Sequence, residues 1–263
     1  MAPTARRNRL TGHGPPSGGY PQSVFSPQGP SLRELCVQAF SSVERGYDLL
    51  APKFDNTPFR TPASILDATA DALSELGPFT HGLDVCCGTG AGMPVLRSLC
   101  QGRITGVDFS AGMLAQARSA HPDGTWVRAD ARALAFAEGF DLALTFGAIG
   151  HFLPTELPAL FEGVHRALRP GGLFAFPIAV PPPLTSVSHL VQLGFDLAMR
   201  VRNSVWRPPF VMYYRTNRLP AVRDDLTAAG FTATAVILTA AGLHRDGSPR
   251  VRLILARKPA DPH

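Results

Sequence analysis

The run Leu83-Asp84-Val85-Cys86-Cys87-Gly88-Thr89-Gly90-Ala91-Gly92 sets an acid beside three alternating glycines, a combination that can hold a small polar ligand against open backbone. Leu83 and Val85 suit a buried strand, and glycines just beyond a strand let backbone N–H groups approach a ligand with no Cβ between. A dinucleotide fingerprint needs glycine or alanine three residues after its second glycine, and Met93 stands there instead. Asp84, beside a helix N-terminus, repels a pyrophosphate and suits a cation or a set of hydroxyl and amine donors.

Two further acids stand at strand ends. Asp108 closes Ile104-Thr105-Gly106-Val107-Asp108, where its carboxylate can accept two hydrogen bonds from a ribose diol or cap a helix. Asp130 follows Trp126-Val127-Arg128-Ala129, placed to accept from an exocyclic amine or to cap a turn starting near Ala131. Phe146-Gly147 ends the fourth strand with an aromatic ring and open backbone suited to covering a flat ring. Such a set describes a ligand with a hydroxylated sugar, an amine-bearing base and no phosphates. His151, in Gly150-His151-Phe152, can take a proton from a nucleophile or serve as a structural histidine; His165, beside Arg166 in a helix, reads as surface.

The elements that must position these groups alternate along the chain. A helix opens with Thr61 as cap and Pro62 in the first turn, carries Ile65, Leu66, Ala70, Leu73 and Leu76 as its apolar stripe, and ends at Gly77. Strand 82–86, helix 91–100, strand 103–108, helix 111–119, strands 125–129 and 140–146, helix 155–168 and strand 172–179 follow. That alternation predicts an α/β, doubly wound, mostly parallel sheet of Rossmann type. Helix 217–229 then leads to β-rich runs Phe231–Thr239 and Arg250–Ala256, an antiparallel hairpin at the C-terminal sheet edge. Residues 180–215 exceed what the pattern needs and read as a small cap, with a helix over 187–200. Phe195, Met199, Trp206, Phe210, Tyr213 and Tyr214 are its candidate substrate-binding residues, or pack within it.

Composition bounds the rest. Residues 1–30 hold six prolines, five glycines and three arginines with no acid, and read as a disordered tail. Order is expected from Ser31, whose spacing to Glu34 is that of a capping box, so residues 31–263 form one domain. The tail takes most of the net charge of +5, leaving 22 Lys and Arg against 20 Asp and Glu, too even for a nucleic-acid footprint. No apolar run approaches the ~18 residues of a membrane span, and no secretory pattern is present. Cys36, Cys86, Cys87 and Cys100 have no zinc-site spacing, so no metal is expected; reduced thiols point to a cytoplasmic location.

Five stretches, LDVCCGTGAG (83–92), GVDFSAGMLAQAR (106–118), VRADARALAF (127–136), FDLALTFGAIGHF (140–152) and HRALRPGGLFAF (165–176), resemble class I S-adenosylmethionine-dependent methyltransferases of the type 11 and ubiquinone/menaquinone methyltransferase-like group. Upstream, YDLLAPKFD (47–55) resembles that group's N-terminal lid segment. The resemblance implies a seven-stranded sheet with one antiparallel strand near its C-terminal end, and S-adenosyl-L-methionine as cofactor. It places Asp84, Gly88 and Gly90 around the methionine portion, Asp108 on the ribose, Asp130 and Ala131 at the adenine, and Phe109 and Met113 against the ring, with Tyr47, Cys86, Thr89 and Phe146 completing the cofactor site. Cys86 departs from the group, which most often has glycine there. The expected activity is in-line methyl transfer to an apolar or aromatic small molecule, His151 being the candidate base. A non-catalytic partner subunit and an RNA methyltransferase are the alternatives.

Overall fold

The structure, a computed structural model, describes residue 30 and residues 41–57, 59–180 and 218–260. The tail before Pro30, the helix expected from Ser31, Cys36, the cap beyond Val180 and its six candidate substrate residues lie outside the described residues.

Among the described residues seven strands form one sheet: β1 Gly82–Val85, β2 Ile104–Asp108, β3 Thr125–Arg128, β4 Phe140–Leu144, β5 Leu168–Ala179, β6 Thr232–Ile237 and β7 Val251–Arg257, in the order β3-β2-β1-β4-β5-β7-β6. β1 to β5 run parallel; β7 lies antiparallel between β5 and β6. The order reverses at β1, between β2 and β4, so the crevice for a ligand opens at the C-terminal ends of those strands.

Strand periodicity decides which face each residue serves. Leu83 and Val85 of β1, Ala143 of β4 and Phe174 and Phe176 of β5 face one core, covered by helices α5 Leu157–Ala167 and α6 Leu219–Ala228. Leu142, Leu144, Leu173 and Ala175 face the other, covered by α2 Ala63–Ser74 and α3 Met93–Leu99. α1 Val43–Leu50 and α4 Ala111–Ala120 stand at the crevice. Asp84 pairs in register with Leu144 and so is driven into the second core, 1% exposed.

The described boundaries depart from the sequence expectation in a few places. Pro62 is itself the cap of α2, with extended ψ of 142° and no side-chain cap bond, so Thr61 does not cap it. β4 stops at Leu144 because the chain turns at Gly147, φ +72°, and carries Phe146 out over the crevice. β5 begins at Leu168, not 172, since Leu168 pairs with Phe140 before a register shift. His165, read as surface, is half-buried: its ring meets Phe231 edge-on at 4.9 Å.

Gly106 of β2 lies under the Trp126 ring, where a Cβ would sit 2.5 Å from the indole and 3.0 Å from Cys87 Sγ. A Gly106→Ala variant is predicted to lose about 1–3 kcal/mol, a fall of several degrees in Tm by differential scanning calorimetry. An unchanged Tm would show that Trp126 is loosely held.

Candidate active site

Each candidate acid reaches the crevice because its strand ends there. Asp108, last in β2, accepts the Gly88 N–H on one oxygen and the Ser110 N–H on the other, both at 2.9 Å. It thereby ties the glycine turn to the start of α4, and each oxygen keeps a lone pair for a ligand hydroxyl. Burial pushes its carboxyl above the ordinary range, opposed by the N–H groups of Ser110, Gly88 and Phe109. Helix capping falls to Ser110, whose hydroxyl accepts the Met113 N–H at 3.1 Å.

Asp84 is the harder case. Its Oδ2 is buried with no hydrogen-bond partner. Burial first, then the nearby Asp108 charge, push its carboxyl up to about 8, while the Gly92 N–H pulls the other way. A Cβ on Gly92 would lie 2.5 Å from that Oδ2, so only glycine leaves the carboxylate its room. Next to it Cys86 holds φ +57°, the one positive φ outside glycine among the described residues. That is the left-handed region, which explains the group's usual glycine and means the cysteine stores backbone strain. The strain does not close the site, since Cys86 lines both of the cavities described next without filling either.

A cavity of about 650 Å³ opens at the ends of β1 to β4. Tyr47, Cys86, Gly88, Asp108, Phe109, Met113, Asp130, Ala131, Phe146 and His151 line it, ten of the residues singled out from sequence. A smaller chamber of about 60 Å³ adjoins the glycine turn, walled by Asp84, Thr89 and Gly92 with Phe54, Phe59 and Phe146. Gly90 lines neither; at φ +92° it turns the chain, and a Cβ there would strike His121 at 2.9 Å. Asp130 lines the cavity and also serves the turn after β3. It caps the 3-10 turn Ala131–Ala133 through the Arg132 N–H, and the Arg132 guanidinium beside it holds its carboxyl below the usual range.

The lid segment supplies what sequence left without a role. α1 and the 3-10 turn Ala51–Asn56 lie across three strand ends, each joined by a carboxylate. Glu44 pairs with Arg128; Asp48 accepts from Ser110 Oγ at 2.6 Å and the Gly112 N–H at 2.8 Å; Asp55 accepts from Thr89 Oγ1 at 2.7 Å. Tyr47 meets Phe109 edge-on at 5.7 Å and sets its hydroxyl 3.4 Å from His151 Nδ1. Burial lowers His151 to about 4, so its ring is neutral at physiological pH. Phe54, Phe59, Arg132 and Glu156 were not singled out beforehand; the acids at 44 and 48, one helical turn apart, were the available signal.

Residues 83–172 match the family described as "Methyltransferase domain". The chain carries a class I methyltransferase domain. A trans-aconitate 2-methyltransferase of Azoarcus sp. is 40% identical over 108 residues, 41% of this chain and 41% of that protein. A 2-phytyl-1,4-naphtoquinone methyltransferase of Thermosynechococcus vestitus is 37% identical over 103 residues, 37% of this chain and 45% of its own length. The chain thus spans under half the length of these curated relatives. The solved S-adenosylmethionine dependent methyltransferase of Mesorhizobium loti shares the fold, with TM-score 0.53, 24% identity, and coverage of 74% of this chain and 98% of that one. No helix among the described residues is long and apolar enough to cross a membrane.

Within the methyltransferase domain the buried Asp84 gives a stability prediction with a fixed sign. Burial pushes its carboxyl up to about 8 in the folded chain from an ordinary 3.8, so between those pH values the folded chain binds the extra proton and loses stability as pH rises. Asp84→Asn should raise the Tm of ligand-free protein at pH 8 by several degrees, on the order of 2 kcal/mol, and change little at pH 4. A gain equal at both pH values would show that Asp84 is not buried as a strained carboxylate.

Proposed function

We propose that this protein transfers a methyl group from S-adenosylmethionine to an uncharged, apolar, aromatic or quinone-like small molecule. The observation that carries the reading is the succession of Asp84, Asp108 and Asp130 at the ends of β1, β2 and β3, around a cavity whose other walls are mainly apolar. The residues fit the group. Asp84 Oδ2 lacks a partner where an ammonium or sulfonium would sit, Asp108 keeps acceptor capacity for a diol, and Phe109, Met113 and Ala131 offer apolar contact to a flat base. A volume of about 650 Å³ lies within the range of ~300–1,000 Å³ usual for small-molecule sites.

When bound, S-adenosylmethionine supplies a methyl group that leaves its sulfur as the acceptor atom attacks in line, an exchange that consumes the positive charge. The chain's part is alignment and exclusion of water. Phe54, Phe59 and Phe146 wall the chamber beside Asp84, and the lid's three carboxylates hold it over the glycine turn. No covalent residue is needed. If the acceptor atom is a hydroxyl, its proton passes to a ring nitrogen of His151, which burial keeps unprotonated at neutral pH. The aromatic and methionine content of residues 180–215 and the quinone named for one relative support an apolar acceptor. The near balance of 22 basic and 20 acidic residues beyond the tail argues against RNA.

Isothermal titration calorimetry with S-adenosylhomocysteine tests the reading. Wild type should bind in the micromolar range, and Asp108→Ala should lose at least about tenfold in affinity, the value of one charge-assisted bond. Absence of binding by wild type, or an Asp108→Ala titration indistinguishable from it, would overturn it.

A further inference from the structure

Arg132 is the one permanent cation among the described residues lining the larger cavity, against the acids Glu44, Asp108, Asp130 and Glu156. His151 adds no charge there at neutral pH. Among the described residues, a carboxylate-bearing acceptor in this cavity has Arg132 to meet it. Three of the arginine's five N–H groups are already engaged. Nε lies 3.0 Å from both oxygens of Asp130, Nη2 lies 2.6 Å from Asp130 Oδ2, and Nη1 lies 2.6 Å from Glu156 Oε1. Glu156 is itself fixed, because its Oε2 accepts the Leu153 N–H at 2.8 Å, in the turn that follows His151. Arginine recognises carboxylates through paired N–H groups, and here Asp130 occupies one edge while Glu156 holds the remaining arm. The group as a whole carries one more negative than positive charge.

The methyltransferases that this chain resembles bear names of both kinds, one for a tricarboxylate and one for a naphthoquinone. The shared fold thus leaves acceptor charge open, and the chain's own side chains must set it. We propose that Glu156 is a specificity-determining residue: by adding a second carboxylate to Arg132 beside Asp130 it leaves the set net negative, so that the acceptor side admits neutral or cationic acceptors and disfavours carboxylates. The proposal rests on the methyl-transfer reading and deepens it by naming the acceptor class. Arg132 and Asp130 are about half exposed and Glu156 a quarter exposed, so solvent screens the set and the discrimination is a matter of about tenfold rather than thousands.

The test uses protein first shown by calorimetry to be saturated with S-adenosylhomocysteine, then titrated with trans-aconitate and, separately, with 2-methyl-1,4-naphthoquinone. Wild type should take the quinone and give no heat with trans-aconitate up to about 10 mM. Glu156→Gln, and independently Glu156→Ala, should gain at least tenfold in trans-aconitate affinity by freeing Nη1. Adding Arg132→Gln to either should abolish the gain, which a merely loosened fold would not predict. Binding of trans-aconitate by wild type as tight as by the variants, no gain in either variant, or a gain that survives Arg132→Gln would each overturn the proposal. Failure of wild type to bind S-adenosylhomocysteine would instead overturn the methyl-transfer reading beneath it.

Discussion

A carboxylate buried without a partner is the constraint around which this fold is arranged. Asp84 sits near the C-terminal end of a parallel strand between Leu83 and Val85, both wholly buried, and is itself only 1% exposed, with a small chamber as its one opening. Burying an unpartnered polar group costs roughly 1–3 kcal/mol, and more when it is charged. Burial and the nearby Asp108 charge favour the protonated form of the ligand-free chain, which lowers that cost. Gly92 leaves it space, Cys86 accepts a left-handed backbone beside it, and Asp108 keeps the glycine turn in place by taking the Gly88 N–H. The strain at Cys86 and the unpartnered Asp84 oxygen make sense if a cation completes the site.

The lid depends on the same strand ends. Glu44, Asp48 and Asp55 meet Arg128, Ser110 with Gly112, and Thr89, which follow β3, β2 and β1 in turn. Gly112 has no room for a side chain because the Asp48 backbone lies 2.8 Å from where its Cβ would be. A segment seated this closely brings Tyr47 to Phe109 on the cofactor side and to His151 on the acceptor side. In the proposed reaction, cofactor and acceptor share that one roof.

Much of this was legible before any coordinates. Period-two apolar runs ended by acids placed β1 to β4 and three carboxylates at one sheet edge, because strand alternation and parallel topology are local consequences of sequence. What stayed hidden was non-local. Asp48 reaches Ser110 across 62 residues and Arg132 reaches Glu156 across 24, and no spacing rule announces such pairs. The start of β5 was obscured by Pro170, Gly171 and Gly172, which read as a turn although Leu168 already pairs with Phe140. Gly90 misled in the opposite sense, since a glycine in a ligand-binding turn can serve the turn alone, here against His121 and Trp126.

The central claim is that Asp84 waits, protonated, for a cationic ligand. With its carboxyl near 8, about nine-tenths of the molecules should carry that proton at pH 7, and ligand binding should expel it. Calorimetry of S-adenosylhomocysteine binding at pH 7 in two buffers of different ionisation enthalpy counts the protons released. The account predicts close to one proton for wild type and a markedly smaller number for Asp84→Asn; a binding heat independent of buffer, or the same count in both proteins, would contradict it.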